Sequence, residues 1–162
     1  QNYDEYVKLM HSDLVADLKK KAEEKGIKII SLDFIFGFRS IISDKEIKEP
    51  ADLKGMKIRV QPSPTAVEMI KLMGASPTPL AYGELYTALQ QKVVDGAENN
   101  QTALTLARHG EVAKFYSEDE HTMIPDVLVI GQKSWDKLTP EQQQALKKAA
   151  DDSMIIKIYG KK

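Results

Sequence analysis

Apolar and polar positions follow two different rhythms along this chain. From Lys8 to Glu24, Leu9, Leu14, Leu18 and Ala22 recur among lysines and carboxylates, a spacing that predicts an amphipathic helix. Gly26 ends it, because glycine accepts the backbone conformation of a helix stop. Ile27 to Phe38 is dense in Ile, Leu and Phe, with Gly37 near its end. Such a run predicts a buried strand over 28–32 that passes into irregular chain around Gly37. Two further strand patterns, 39–42 and 56–60, lie on either side of the turn-rich Lys48-Glu49-Pro50-Ala51-Asp52.

In Gln61-Pro62-Ser63-Pro64, Ser63 suits the N-cap and Pro64 the first position of a helix, because proline has no N–H to leave unpaired there. That helix presents Val67, Ile70 and Met73 and stops at Gly74. Another is predicted from Gly83 to Gln91, with Leu85 and Leu89 on one face. A short strand follows over 93–99, then a third helix from Asn100 to Gly110. The apolar run Val127-Leu128-Val129-Ile130 reads as a strand. Thr139 and Gln142 form a capping-box pattern around Pro140, so a last helix is expected to about Ser153. Strands and helices alternate, which places the chain in the α/β class with a mixed, mainly parallel sheet flanked by helices.

At 162 residues, 42% hydrophobic and 29% charged, the chain can bury a real core as one domain or two small ones. Its 23 Lys and Arg nearly balance its 24 Asp and Glu, so no net field favours nucleic acid or an anionic membrane as partner. There is no cysteine, which excludes a disulfide framework and thiolate metal ligands. No apolar run is long enough to span a bilayer, and Gln1-Asn2-Tyr3-Asp4-Glu5 lacks the features of a signal peptide, so any export signal is expected to have been removed.

Ligands of open α/β sheets sit beyond the carboxyl ends of strands, where helix N-termini present free N–H groups. Arg59 lies at such an end, four residues before Ser63. Its guanidinium fork could grip a carboxylate through two parallel hydrogen bonds, or could pair with a surface carboxylate. Arg39 follows Gly37-Phe38, and Asn99, both donor and acceptor, ends Asp95-Gly96-Ala97-Glu98. Taken singly, these residues and Tyr82, Glu84 and Glu98 read equally as surface, packing or capping groups. His109 and His121 are twelve residues apart with no second ligand at helical spacing, so no metal site is expected. No nucleophile, phosphate-loop or dinucleotide motif is present, and Glu118-Asp119-Glu120 lacks calcium-loop spacing and reads as a solvated turn. Trp135 reads as a packing anchor. No catalytic residue, metal or cofactor is predicted.

Several segments together carry a resemblance. Pro50-Ala51-Asp52-Leu53-Lys54-Gly55-Met56-Lys57-Ile58-Arg59-Val60, Met73-Gly74-Ala75-Ser76-Pro77-Thr78-Pro79, Gly83-Glu84-Leu85-Tyr86-Thr87-Ala88-Leu89-Gln90 and Val94-Asp95-Gly96-Ala97-Glu98-Asn99 resemble the solute receptors of tripartite ATP-independent periplasmic (TRAP) transporters in order and spacing. Gly37-Phe38-Arg39 before them and Ser134-Trp135-Asp136-Lys137-Leu138-Thr139-Pro140-Glu141 after them also look like that family. The resemblance implies a periplasmic binding protein-like lobe, periplasmic localisation, a small organic acid as ligand and the transporter's membrane subunits as partners. It implies that Arg59 binds the ligand carboxylate, with Arg39 and Asn99 as helpers. Tyr82, Glu84 and Pro62 complete the expected ligand-binding set. Asn100 stands where many relatives have proline and, with Glu120-His121-Thr122-Met123-Ile124-Pro125-Asp126, looks closer to receptors for sugar acids such as uronates.

Members of that family are about twice as long, so the expectation is a piece of a longer receptor. By analogy, residues 1–36 and 125–162 belong to a first lobe and 37–124 form the second, ligand-binding lobe. The strands near 27–32 and 127–130 would then expose sheet edges and promote self-association, and ligand binding would be weakened. Two other functions compete. One is an enzyme using Glu84, Glu98 or His109 as acid or base on a small acid; the other is a sensor or interaction module sharing the lobe.

Overall fold

The computed structural model describes residues 3–159, and the chain divides into two compact units: residues up to Phe36 with those from Pro125 onward, and Gly37–Ile124. No described helix is long and apolar enough to cross a membrane.

The first unit opens with two helices, α1 (Tyr3–Met10) and α2 (Asp13–Glu24), where the apolar spacing predicts one. Ser12 separates them. Its hydroxyl donates to the Leu9 carbonyl at 2.6 Å and accepts from the Val15 N–H at 3.5 Å, which ends one helix and caps the next. The expected stripe is also displaced: Leu9, Leu14 and Leu18 are about half exposed or more, while Tyr6 and Val15 are buried. Gly26 takes φ +82°, the helix stop read from the sequence. The following strand, β1 (Ile27–Phe34), pairs antiparallel with the late strand Asp126–Gly131. A short helix, Gln132–Trp135, and a long one, Pro140–Tyr159, complete this unit. The predicted capping box is formed at the start of the long helix. Thr139 N–H donates to Gln142 Oε1 at 2.9 Å, and Gln142 N–H donates back to Thr139 Oγ1 at 3.3 Å.

The second unit holds β2 (Arg39–Ser43), β3 (Lys57–Val60), α3 (Pro64–Leu72), β4 (Ser76–Pro79), α4 (Leu85–Gln90), β5 (Gly96–Asn99), α5 (Thr102–Thr105) and β6 (Phe115–Thr122). Its sheet order is β4-β3-β5-β2-β6. The sheet is mixed as expected but not mainly parallel: parallel pairing is confined to β3 and its two neighbours, and β2 runs antiparallel to β5 and β6. Adjacent residues of a strand face opposite ways, so Ile41 and Ile42 serve two cores. Ile42 packs with Leu85, Leu89, Val94 and Ala97 on one face, and Ile41 packs with Met56, Ile58, Val60 and Ile70 on the other. Burial of both faces explains why these strands read as near-continuous apolar runs.

Several local expectations change here. The segment Ser76–Pro79 is an edge strand, where Pro77 and Pro79 lack N–H groups that the open edge does not need. Ser63 has N-cap backbone angles and Pro64 the first helical position, yet the Ser63 side chain makes no capping bond. A 3-10 turn, Tyr82–Glu84, precedes α4. The helix expected over 100–110 shrinks to the four residues of α5 and a 3-10 turn, His109–Glu111. Thr102 is drawn to the Asn100 side chain and Thr105 Oγ1 donates to the Thr102 carbonyl; such side-chain bonds compete with helix continuation. The chain then turns through Arg108 at φ +60°. Finally, Glu118-Asp119-Glu120 is exposed as expected but is part of β6 rather than a turn. Glu120 has φ +46° and the β2–β6 register shifts there, so the acidic run is a bulge in an edge strand.

Candidate functional site

The parallel strands β3 and β5 end at Val60 and Asn99, and antiparallel β2 begins at Arg39. Sheet pairing therefore gathers Arg59, Glu98, Asn99 and Arg39 at one end of the second unit. Register divides them between the faces. Arg59 lies opposite Ala97, on the side of α4, and Asn99 shares that face by alternation. Glu98 lies opposite Ile41, and Arg39, two residues from Ile41, shares its face.

Arg59 is 2% exposed. Its Nε donates to the Leu80 carbonyl at 2.9 Å, the only hydrogen bond it makes among the described residues, so its terminal nitrogens are left without a protein acceptor. The guanidinium carbon lies 5.7 Å from the centre of the Tyr82 ring, within cation–π range. Burial lowers the Arg59 pKa below its usual value, the charge of Glu98 opposes that shift, and Arg39 adds to it. Tyr82 also meets His109 edge to face, with ring centres 5.7 Å apart. His109 is 2% exposed, and its Nδ1 is buried without a hydrogen-bond partner among the described residues. Burial and the nearby Arg59 charge both lower its pKa, so this imidazole is neutral.

Arg39 is committed elsewhere. Its Nε and Nη2 both donate to the Glu98 carboxylate, the latter at 2.9 Å, and Nη2 also donates to the Glu98 carbonyl at 3.0 Å. Gln61, with its amide oriented to satisfy both ends, donates to Glu98 Oε1 at 3.1 Å and accepts from Arg39 Nη2 at 3.2 Å. On β6, His121 Nδ1 lies 2.8 Å from Asp119 Oδ2, and its Nε2 lies 3.7 Å from Glu98 Oε2, an ion-pair distance rather than a hydrogen bond. Asp119 also accepts from the Ile41 N–H at 3.1 Å. Burial lowers the His121 pKa, but the two carboxylates outweigh it and carry the value up to about 9. Glu98 shows the converse: burial raises its pKa, while His121 and Arg39 hold it below the ordinary carboxylate value. At neutral pH His121 is thus a cation and Glu98 an anion. Among the described residues, no group of three or more His, Cys, Asp or Glu is arranged to hold a metal ion.

The chain matches the model of the bacterial extracellular solute-binding proteins, family 7 (DctP), over residues 1–157. It belongs to that family. It is 37% identical over 138 residues to the 2,3-diketo-L-gulonate-binding periplasmic protein YiaO of Escherichia coli K12, covering 85% of this chain and 42% of that protein. Among solved structures it is similar to a TRAP periplasmic solute binding protein from Fusobacterium nucleatum with bound sn-glycerol-3-phosphate. There the TM-score is 0.92 and the identity 38%, over 98% of this chain and 51% of the other. It is likewise similar to one from Sulfitobacter with bound β-D-galacturonate, at TM-score 0.86 and 40% identity, over 94% of this chain and 51% of that one. The chain thus spans less than half of that curated relative and about half of each structure.

Of the residues predicted for the site of this DctP-family chain, Arg59, Arg39 and Tyr82 are electrostatically linked, and Asn99 adjoins Glu98 on β5. Asn99 is 8% exposed; its side-chain oxygen accepts from the Asn100 N–H at 2.9 Å. Pro62 and Glu84 are exposed, and no described contact joins them to the cluster. Sequence reasoning missed the parts played by Gln61, Asp119 and His121. The latter two belong to the bulged strand that reads as an acidic turn, and only sheet pairing brings them to Glu98. Glu98 itself was weighed only as a capping group or an enzyme's acid.

Proposed function

We propose that the protein is the extracytoplasmic receptor subunit of a TRAP transporter, working in the periplasm. It would bind a small organic acid, with a sugar acid such as a uronate as the ligand class, and pass it unchanged to the transporter's membrane subunits. In this reading Gly37–Ile124 is the second, ligand-binding lobe, and the other unit belongs to the first lobe. The observation that carries it is Arg59, a nearly buried guanidinium held by Nε to the Leu80 carbonyl and over Tyr82. Among the described residues its terminal nitrogens have no acceptor, and a planar carboxylate fits that fork bidentately. Asn99 and Tyr82 are the neighbours for ligand hydroxyls, and Pro62 and Glu84 its outer margin.

Titration calorimetry of the intact protein with galacturonate, glucuronate and their aldonates tests this. Removing one partner of a desolvated charge pair costs ~2 to 5 kcal/mol, so Arg59→Ala should weaken binding by tens of fold or more. An unchanged dissociation constant would sink the assignment.

The competing enzyme reading rests on Glu84, Glu98 and His109, and the described contacts do not join any two of them into a proton-transfer pair. Glu98 is occupied by Arg39, Glu84 is exposed, and the buried Nδ1 of neutral His109 has no hydrogen-bond partner among the described residues. No turnover of a bound sugar acid is expected when the mixture is followed by NMR.

A further inference from the structure

His109 is a buried imidazole that makes no ion pair among the described residues. It is 2% exposed, and its Nδ1 is buried with no hydrogen-bond partner there. A polar atom left unpaired in a core carries a cost that an apolar side chain of similar size would avoid. The backbone around it is fixed. The His109 carbonyl accepts from the Val112 and Ala113 N–H groups at 3.1 and 2.9 Å, and Ala113 packs in the core that also holds Leu85, Ala88 and Leu89 of α4. At the surface, the Tyr86 hydroxyl of α4 donates to Glu111 Oε2 at 3.0 Å, and Arg108 donates to both oxygens of the same carboxylate. The turn that carries His109 is thereby tied to the helix that follows Tyr82.

Tyr82 is held more loosely. It is 51% exposed, and its hydroxyl makes no hydrogen bond among the described residues. Two ring contacts are described for it: the Arg59 guanidinium carbon 5.7 Å from its centre, and the His109 ring edge to face at 5.7 Å with 62° between the planes. A half-exposed aromatic ring without a hydrogen bond turns about its side-chain torsions unless a neighbour blocks it. Arg59 is the side chain the ligand is to engage, so the fixed neighbour of the ring is His109. Burial and the Arg59 charge both lower the His109 pKa. A neutral imidazole can stand here without repelling Arg59 or competing with it for the ring.

We propose that His109 is a positioning residue of the ligand site: its buried ring holds the Tyr82 ring over Arg59 and so sets the guanidinium fork that receives the acid. This rests on Arg59 being the carboxylate anchor. His109 is not itself a ligand contact; it acts through Tyr82. Without the imidazole, Tyr82 is free to swing into solvent, and Arg59 keeps only the Leu80 carbonyl among the described residues. Affinity then falls because the fork is no longer ordered in advance, with no contact to the acid removed.

The test is a double-variant cycle, read by titration calorimetry of the intact protein with galacturonate and glucuronate. An edge-to-face pair is worth about threefold to tenfold in an equilibrium constant, so His109→Leu should weaken binding by that factor. His109→Phe keeps an aromatic partner for Tyr82 and should recover most of the loss. In a Tyr82→Ala protein, His109→Leu should change the dissociation constant by less than about twofold, because the ring it positions is gone. A residue that only supported the fold would not separate Leu from Phe, nor lose its effect when Tyr82 is absent. Aromatic NMR of the ligand-free protein should show the Tyr82 ring signals moving toward those of a free tyrosine in His109→Leu and not in His109→Phe. A folded His109→Leu protein with wild-type affinity, or a loss just as large in the Tyr82→Ala background, would overturn the proposal. If His109→Leu does not fold, His109→Gln takes its place in the same cycle, and the same two results overturn it. Loss of binding on Arg59→Ala alongside wild-type affinity in His109→Leu would leave the anchor standing and remove only this inference. Uronate binding that is absent from the wild type, or indifferent to Arg59→Ala, would remove both.

Discussion

Arg39 and Glu98, fifty-nine residues apart in the chain, form a bidentate ion pair whose side chains are 11% and 1% exposed. A pair so far removed from water is stabilising only while both partners stay, because Arg39 alone is an uncompensated buried charge and Glu98 alone keeps only His121 at 3.7 Å among the described cations. Glu98→Ala or Arg39→Ala should each lower the stability of the second unit by about 3 to 5 kcal/mol, and the double variant by clearly less than their sum. Urea unfolding of the four proteins measures this; additive effects would show that the pair is not coupled.

His121 makes that unit sensitive to alkali. Its folded pKa of about 9 lies above the 6.5 of the free side chain, because Asp119 and Glu98 hold the proton against burial. A raised cationic pKa gives stability that is complete below the unfolded value and lost as pH climbs through the folded one. Stability should therefore fall between about pH 6.5 and pH 9 and level off above it, and His121→Gln should flatten that slope. Denaturant midpoints at pH 6, 8 and 10 would reveal it, and a wild type as pH-independent as the variant would refute it.

Gly96, on β5, lies opposite Ser43 of β2 and Ile58 of β3. A Cβ there would sit 2.5 Å from the Ile42 carbonyl oxygen and 3.0 Å from Ile58 Cδ1, and the first of these is backbone that cannot swing aside. Gly96→Ala should cost roughly 1 to 3 kcal/mol, shift β5, and weaken acid binding by displacing Glu98 and Asn99, which follow it. A variant with wild-type thermal midpoint would show that the sheet yields without cost.

In the first unit, β1 and its partner Asp126–Gly131 form a two-stranded sheet with no third strand among the described residues. Val127, Leu128 and Val129 are 45%, 37% and 49% exposed. An apolar strand with an open edge invites pairing with another chain, so this chain alone should self-associate, and Val129→Lys should reduce the effect. Light scattering across micromolar concentrations checks this; a compact monomer throughout would count against it.

The sequence by itself determined what is local. Gly26 and Gly74 end helices, Pro64 begins one, Thr139 with Gln142 caps another, and the apolar runs around Ile29, Ile42, Ile58 and Val129 are strands. These features depend on backbone freedom, missing N–H groups and neighbouring side chains, all readable within a few residues. The ordered segments around Arg39, Arg59 and Asn99 likewise pointed to the family that residues 1–157 then matched. Tertiary structure decided what depends on distant neighbours. It made an edge strand of Ser76–Pro79 and turned the exposed run Glu118-Asp119-Glu120 from a turn into a bulged strand, whereas the break of the first helix at Ser12 is a local cap that the apolar spacing alone does not register. Above all it separated two arginines that look alike in sequence. Sheet register sets Arg39 against Glu98 and leaves Arg59 with only the Leu80 carbonyl and the Tyr82 ring among the described residues. Which cation is neutralised depends on which strand lies beside it, and that pairing is made across long stretches of chain by burying both faces of one sheet.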